Sequence, residues 1–296
     1  MMHSVPCPSA APELVFWGVR GSVPMPGPGT LVFGGNTSCI EVKAGGARFI
    51  VDAGTGIVPL GQQACWTQAP EEPIHVLLTH LHHDHIIGLP FFKPVYQKGR
   101  EIHLWCGNID GTCLQTMLDR LFAPPLFPFR LADVPARFVF HSFRAGETLD
   151  IAGQRVRTVV LDHPSAATGY RFQDAGGSVA IITDIEHKQA GPDPAVVALC
   201  DNVDVLVYDM MLEEVDYGGC KGWGHSTASA GIALADAARA GKLVGFHHSP
   251  GHDDAFMRDR ERRLQEERAG SLMAREGMVL SCASPARAVS LAVRSL

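Results

Sequence analysis

Short apolar runs, separated by turns rich in glycine, proline and polar residues, recur along the whole chain. Runs of this length that contain β-branched and aromatic side chains are typical of strands. They predict strands over residues 14–19, 38–42, 48–51, 74–78, 102–106, 138–141, 155–161, 168–173, 178–183, 203–208 and 243–246. Apolar residues at helical spacing instead predict helices over 111–121, 226–240 and 254–275. Two successive groups of strands, each followed by helix, predict an α/β (α+β) sandwich with the helices outside.

The domain organisation follows from the absence of a linker in this pattern. No segment of linker composition divides the two groups of strands, so we expect residues 1–296 to form a single domain. The pattern is interrupted by the segment 123–136, where prolines alternate with leucine and phenylalanine. Proline disfavours both helix and central strand, which predicts an irregular insert. Its aromatic side chains could pack on the core, cover a pocket or form the contact of a homodimer.

Composition and charge narrow the class of protein. The chain has 296 residues, 46% of them hydrophobic, which is enough for a sizeable core. A formal net charge of -6 argues against stable nucleic-acid binding, since that requires a basic surface. The eight cysteines include no Cys-x-x-Cys pair, which favours reduced thiols. No signal peptide or membrane-spanning run is present, so we expect a cytoplasmic protein without membrane contact.

The densest group of metal-capable side chains is the segment Thr79–His85, which contains His80, His82, Asp84 and His85. It follows the predicted strand 74–78 directly, and ligands of open α/β sheets bind past the carboxyl ends of strands. A lone histidine is usually structural, but burying this many polar groups without a metal would be costly. Imidazole nitrogens with carboxylate oxygens suit zinc, with manganese or iron as substitutes.

This segment resembles the metallo-β-lactamase superfamily, whose His-x-His-x-Asp-His signature it matches completely. The resemblance implies a four-layer αββα sandwich with a one- or two-metal hydrolytic site along one edge. The turn Asp52–Gly56 is similar to the first motif of the superfamily. In that motif Asp52 would accept hydrogen bonds that fix the metal loop, rather than bind metal.

The resemblance also implies three more ligands, each just past a predicted strand, and the sequence provides them. The ligands implied for the first metal ion are His80, His82 and His163. The ligands implied for the second metal ion are Asp84, His85 and His247. Asp184 would bridge the two ions. His247 is favoured over His248 because it directly follows the strand.

A centre of this kind predicts hydrolytic chemistry. Two divalent ions outweigh the charge of Asp84, Asp184 and a bridging hydroxide, so the centre could attract a monoanion despite the acidic chain. A bridging hydroxide would exist at neutral pH and act as the nucleophile. Asp84 could orient this nucleophile or accept its proton.

Three further segments, Gly21–Pro24, Gly35–Ser38 and Gly222–Thr227, resemble the phosphodiesterase side of the superfamily. This side includes the tRNA 3'-processing endonuclease RNase Z and the cyclic-phosphate phosphodiesterases. The resemblance implies that His225 reaches the scissile phosphate and that Asp209 orients it. Alternatively, Ser226 or Thr227 caps the following helix and His225 is incidental.

The predicted function is a metal-dependent phosphodiesterase for a small or cyclic phosphodiester. A tRNA endonuclease is a weaker prediction, since the chain has no long basic glycine-rich arm and the stretch Tyr208–Met210 departs from the motif of that enzyme. An acyl-type hydrolase of lactones, thioesters or β-lactams would generally lack the His-Ser-Thr element. A non-enzymatic, metal-bearing scaffold would be expected to lack ligands.

Overall fold

The structure, a computed structural model, describes residues 11–68, 71–108, 113–282 and 290–293. Its strands are β1 (Glu13–Gly18), β2 (Cys39–Ala44), β3 (Ala47–Val51), β4 (Ile74–Leu78), β5 (Glu101–Gly107), β6 (Arg137–Phe143), β7 (Thr148–Ile151), β8 (Gln154–Leu161), β9 (Ala167–Asp174), β10 (Gly177–Ile182), β11 (Val205–Asp209), β12 (Lys242–Phe246), β13 (Leu272–Met273), β14 (Met278–Ser281) and β15 (Ser290–Val293). Its α-helices are α1 (Ile57–Leu60), α2 (Ala64–Thr67), α3 (His83–Ile86), α4 (Leu114–Leu121), α5 (Pro194–Cys200), α6 (Glu214–Tyr217), α7 (Ala228–Ala237) and α8 (Asp254–Glu267).

These strands form two mixed sheets. The first has the order β15-β14-β1-β2-β3-β4-β5-β6, and the second has the order β13-β12-β11-β10-β9-β8-β7. In the first sheet the strands from β15 to β3 pair antiparallel and those from β3 to β6 pair parallel. The second sheet repeats the plan, with antiparallel pairing from β7 to β10 and parallel pairing from β10 to β13. The predicted two halves are therefore present.

The core has three apolar layers. Between the two sheets, Phe16 and Phe49 pack with Tyr170, Phe172 and Val244, all fully buried. A second cluster lies between the first sheet and α1, α2 and α4, and a third between the second sheet and α5, α7 and α8. Burying one such side chain contributes about 1.5–3 kcal/mol, so the three layers dominate the stability of the fold. This arrangement confirms the αββα sandwich.

The predicted helix 254–275 is too long at its carboxyl end. Helix α8 stops at Glu267 because Arg268 leaves the helical region and Gly270 adopts a positive φ of 78°. The chain then turns back, and Leu272 joins β13 beside β12 instead of lying on the helix. Helix α7 is shorter than the predicted 226–240, because the Thr227 side chain caps it at Ala230 N.

Several elements were not predicted, among them α5, β7 and the short strands after α8. They are short or carry few apolar residues, so their sequence pattern is weak. The start of the predicted helix 111–121 lies outside the described residues, and α4 is described from Leu114. Leu114 and Leu118 are buried in the outer apolar layer of the first sheet, as expected for core residues.

The segment 123–136 contains turns and one 3-10 turn, Leu131–Asp133. Phe127 packs edge-on against Phe91 and Phe122, with ring centroids 5.7 and 5.5 Å apart, and Leu131 is buried in the same layer. The segment thus packs on the core. A role in a homodimer stays a prediction.

The cysteines and the helices bear on the predicted environment of the chain. The seven described cysteines are all free. Within the described residues, helices that are both long and apolar enough to cross a bilayer are absent.

Candidate metal centre

The seven predicted metal ligands meet at one edge of the sandwich. The motif residues follow β4, whereas His163 follows β8, Asp184 follows β10 and His247 follows β12. Both sheets therefore contribute, each through the carboxyl ends of strands. All of these side chains are buried except that of His82, which is exposed.

The first predicted ligand group, His80, His82 and His163, is compact. The Nε2 atom of His163 lies 3.1 Å from Nδ1 of His82, and the ring centroid of His80 is 4.4 Å from that of His82 and 4.6 Å from that of His163. One ligand atom from each residue lies within 4.8 Å of the others, so the three imidazoles could share one ion.

The second predicted group, Asp84, His85 and His247, is as close. Nε2 of His85 and Nε2 of His247 are 3.3 Å apart, and Asp84 Oδ2 lies 3.3 and 3.2 Å from these two atoms. Asp184 Oδ1 lies between the groups, 3.3 Å from Nε2 of His85 and of His247 and 3.9 Å from Nε2 of His80. This position is suited to the predicted bridge.

The donor set fits divalent metal ions. Zinc binds imidazole at about 2.0–2.1 Å in tetrahedral sites, so neighbouring ligand nitrogens should lie slightly more than 3 Å apart, as they do here. Nε2 of His80 is buried without a hydrogen-bond partner among the described residues, which is costly unless an ion binds there. The described chain therefore contains buried His/Asp clusters suited to metal binding.

Hydrogen bonds from outside the clusters orient the ligand rings. Nδ1 of His85 donates to Asp52 at 2.7 Å, which leaves Nε2 for an ion. Asp52 also accepts from the backbone N–H of Thr79 at 2.8 Å and from Ser38 Oγ at 2.9 Å, so it fixes the metal loop as predicted. Nδ1 of His163 donates to the carbonyl of Gly224 at 2.8 Å, with the same effect on its Nε2.

Two glycines and one backbone amide complete the centre and were missed by the sequence analysis. A Cβ at Gly21 would collide with the ring of His247, and one at Gly224 with the ring of His163. The backbone N–H of Ser22 donates to Asp84 Oδ2 at 2.7 Å. The glycine-rich segments around Gly21 and Gly224 were the only sequence signal for these contacts. The contacts themselves could not be predicted, because they join parts of the chain that are far apart in sequence.

Backbone strain is concentrated at the centre. Asp52, Asp184 and His247, which each follow a strand, have φ values of 64°, 58° and 58°. Non-glycine residues rarely adopt this left-handed conformation, and it persists only where the surrounding structure enforces it. The turns that present the ligands are thus held by the two sheets.

His225 and Asp209 lie beside the ligand groups. Nδ1 of His225 is 2.9 Å from Asp209 Oδ2, and its ring centroid is 5.0 Å from that of His247 and 5.3 Å from that of His163. Asp209 is fully buried and accepts from the backbone N–H of Met211 at 2.9 Å. Nε2 of His225 has no hydrogen-bond partner among the described residues and remains available.

The neighbouring residues have structural roles. Thr227 does cap α7, as the alternative interpretation supposed, yet His225 still lies in the centre. Ser226 is buried and bonds to Tyr208 and His187, each at 2.8 Å. Nε2 of His248 donates to the carbonyl of Ala274 at 2.7 Å, so His248 takes no part in either ligand group.

Burial and neighbouring carboxylates shift the pKa values of the predicted ligands in opposite directions. Burial lowers the pKa of His80, His82 and His163. For His247, burial acts to lower the pKa, but Asp184 and the hydrogen bond to Asp84 outweigh it and raise the pKa to about 9. For His85, burial likewise acts to lower the pKa, but Asp184 and Asp52 outweigh it and raise the pKa well above its usual value. In the metal-free protein both His247 and His85 therefore hold a proton at neutral pH.

Metal binding should release the proton of His247. A folded-state pKa of about 9 for His247 stabilises the metal-free protein fully below the unfolded value of 6.5, and this contribution is lost as the pH rises through 9. Since an ion binds only the neutral imidazole, zinc binding at pH 7 should release about one proton from His247, and fewer at pH 9.5. Calorimetric titration with zinc in two buffers of different ionisation enthalpy measures this release. A proton release that is the same at both pH values would contradict the raised pKa of His247.

Comparisons with known proteins agree with this geometry. Residues 47–248 match the family described as the beta-lactamase superfamily domain. The ribonuclease Z of Mycobacterium bovis is 27% identical over 279 residues, covering 80% of this chain and 86% of that protein. The ribonuclease Z of Pyrococcus horikoshii is 25% identical over 165 residues, covering 55% of this chain but only 48% of that protein.

Solved structures show the same fold. The metallo-beta-lactamase fold protein YhfI from Bacillus subtilis superposes with a TM-score of 0.67 at 16% identity, covering 91% of this chain and 98% of that chain. A diphosphatase from the PhnP family superposes with a TM-score of 0.65 at 21% identity, covering 92% of this chain and 100% of that chain. The family match and the ribonuclease Z relatives confirm the resemblance to the superfamily and to its RNase Z-like branch. The chain belongs to the beta-lactamase superfamily.

Proposed function

We propose that this protein is a phosphodiesterase that hydrolyses a small or cyclic phosphodiester at a dinuclear metal centre. The observation that carries the proposal is the His225–Asp209 pair beside two clusters of metal-capable side chains. Membership of a hydrolase superfamily supports an enzyme, and a pair able to deliver a proton is what a phosphodiester with a poor leaving group requires.

The residues that would hold the ions are His80, His82, Asp84, His85, His163, Asp184 and His247. Zinc, or manganese or iron in its place, would supply a hydroxide nucleophile at neutral pH and offset the charge of the phosphate. Asp84 is held in place by the N–H of Ser22 and could orient the attacking water.

His225 would act on the leaving group. As the P–O bond breaks, the departing oxygen takes up a proton, which Nε2 of His225 can donate. Asp209 accepts from the opposite nitrogen of the ring at 2.9 Å and fixes the orientation of the imidazole. Because Asp209 is buried and accepts backbone hydrogen bonds, it stays in the orientation that this role requires.

A tRNA 3'-processing endonuclease is the second candidate. It is favoured by the relatives named ribonuclease Z, one of which is covered over 86% of its length. Against it stands the acidic charge of the chain, which would oppose a long polyanion.

The two candidates make opposite predictions about substrate size. We expect the zinc- or manganese-loaded protein to cleave bis-p-nitrophenyl phosphate or a cyclic nucleotide with a higher kcat/KM than it processes pre-tRNA. The measurement is a panel of these substrates together with a lactone and nitrocefin. Faster processing of pre-tRNA would establish the endonuclease, and turnover of the lactone or nitrocefin alone would overturn the phosphodiesterase.

A further inference from the structure

The cleft that contains His80 and His82 extends well beyond the predicted ligands. It has a volume of about 1010 Å³ and is also lined by Asn108, Met117 and Arg144. Sites for whole small molecules measure about 300–1,000 Å³, far more than one phosphodiester group needs. The cleft therefore has room for a part of the substrate that lies outside the metal centre.

The sheet register sets how Asn108 and Arg144 lie relative to the metal loop. In the parallel strands β4, β5 and β6, Leu78 pairs with Cys106 and Gly107 pairs with Phe143. Consequently His80, Asn108 and Arg144 each leave their strand at nearly the same level, on three adjacent strands. Neighbouring strands are about 4.8 Å apart, so the backbone of Arg144 lies on the order of 10 Å from that of the metal loop.

Asn108 has a side-chain donor that no described residue uses. Its Oδ1 accepts from the backbone N–H of Ala145 at 3.0 Å, and its own N–H donates to the carbonyl of Phe143 at 3.1 Å. Its Nδ2 is buried and has no partner among the described residues. A buried amide group without a partner is unfavourable, and Asn108 lines the cleft, so a ligand acceptor that reaches this group would satisfy it.

Arg144 is an exposed cation that no described residue pairs with. Its side chain makes no hydrogen bond or ion pair within the described part of the chain, whereas Arg137, at the start of the preceding strand β6, pairs with Glu101. None of the described residues that line the cleft is an aspartate or a glutamate. Among the described residues, the lining around Arg144 thus carries a positive side chain and no carboxylate, and a guanidinium group binds phosphate through two parallel N–H donors.

We propose that Arg144 and Asn108 bind a second phosphate group of the substrate, within about one nucleoside or sugar of the scissile phosphodiester. This inference rests on the proposed phosphodiesterase function and defines its substrate class as a diester with an additional phosphate. The second phosphate could belong to a phosphorylated small molecule or be the next phosphate of a nucleic-acid chain. Either source presents the same chemistry to the arginine.

The test uses two chromogenic substrates that differ only in this group. They are thymidine 5'-(4-nitrophenyl phosphate) and the same ester with a 3'-phosphate. We expect the wild-type enzyme to prefer the phosphorylated ester, and Arg144→Ala to lower kcat/KM about 10- to 100-fold for it but less than about 3-fold for the other. Asn108→Asp should act in the same direction, because a carboxylate there repels the phosphate.

The control is Arg155→Ala, which removes an exposed arginine outside the cleft that has no ion pair among the described residues. This variant should leave kcat/KM unchanged for both esters. Calorimetry gives an independent readout, since Arg144→Ala should weaken binding of thymidine 3',5'-bisphosphate but not of thymidine 5'-phosphate.

The failures of the two proposals are distinguishable. If the wild-type enzyme cleaves neither these esters nor bis-p-nitrophenyl phosphate nor a cyclic nucleotide, the phosphodiesterase function is wrong. If it cleaves bis-p-nitrophenyl phosphate or a cyclic nucleotide but neither ester, the second-phosphate site is wrong. If it cleaves both esters equally well, or if Arg144→Ala reduces both to the same extent, the second-phosphate site is wrong. A short oligoribonucleotide identifies the source of the second phosphate. If the enzyme cleaves it with a higher kcat/KM than the phosphorylated ester, the second phosphate belongs to a nucleic-acid chain.

Discussion

Replacement of Asp184 by alanine is expected to remove metal from both ligand groups and to lower turnover by about 10³-fold or more. This loss is larger than the loss caused by deleting a single hydrogen-bond donor that stabilises a transition state. The reason is the position of its Oδ1 atom, which lies 3.3 Å from the Nε2 atoms of His85 and His247 and 3.9 Å from that of His80. Elemental analysis of the loaded variant should give well under two ions per chain, whereas the wild-type protein should bind two.

The control for this variant is Asp162→Asn, which changes an exposed carboxylate next to His163 that belongs to neither ligand group. It should retain both ions. Circular dichroism should show that Asp184→Ala keeps its secondary structure, because the three apolar layers do not involve this residue. Full occupancy of both positions in Asp184→Ala would show that its carboxylate is not a bridge, and a wild-type stoichiometry of one would refute the dinuclear centre.

Replacement of His225 by alanine is expected to spare the metals and the fold but to lower turnover of an alkyl phosphodiester by about 10²- to 10⁴-fold. The departing alkoxide needs a proton, and His225, held by Asp209 at 2.9 Å, is placed to provide it. p-Nitrophenolate departs without help, so the loss on a p-nitrophenyl ester should be much smaller. The ratio of the two losses, measured as kcat on matched substrates, is the informative quantity.

The Asp209→Asn variant and the pattern of losses in His225→Ala distinguish the possible roles of His225. Asp209→Asn keeps the side-chain shape but removes the charge, so it should reproduce part of the loss on the alkyl substrate. Equal losses on both substrates in His225→Ala would indicate phosphate positioning. His225 also lies near Asp184 and His163, with ligand atoms within 4.8 Å, so metal loss in the variant would identify it as a ligand instead.

The metal loop could be predicted from the sequence because its chemistry is local. His80, His82, Asp84 and His85 lie within six residues, and the apolar run before them gave the strand that presents them. His163, Asp184 and His247 were reached only through the resemblance, since a histidine or aspartate after a strand is common. The structure brings these three to the loop by placing the carboxyl ends of strands from both sheets at one edge.

Other parts of the site depend on contacts that no local pattern encodes. The fit of Gly224 against the ring of His163 joins residues 61 positions apart, as does their hydrogen bond. The donor of Asp84 is the backbone of Ser22, and a backbone N–H has no sequence signature. The end of α8 at Glu267 was missed because the charged, helix-favouring pattern continues past the residue where the chain turns into β13.

The division of the predicted ligands between the two sheets has a consequence for folding kinetics. His80 and His82 follow a strand of the first sheet, whereas His163, Asp184 and His247 follow strands of the second. Neither complete ligand set can form until the two sheets have docked, so we expect the ions to be captured late in folding, after the transition state. Interactions that are absent from the transition state slow unfolding without speeding folding. Bound metal would therefore act as a late clamp between the sheets, prolonging the lifetime of the folded chain more than it assists its formation.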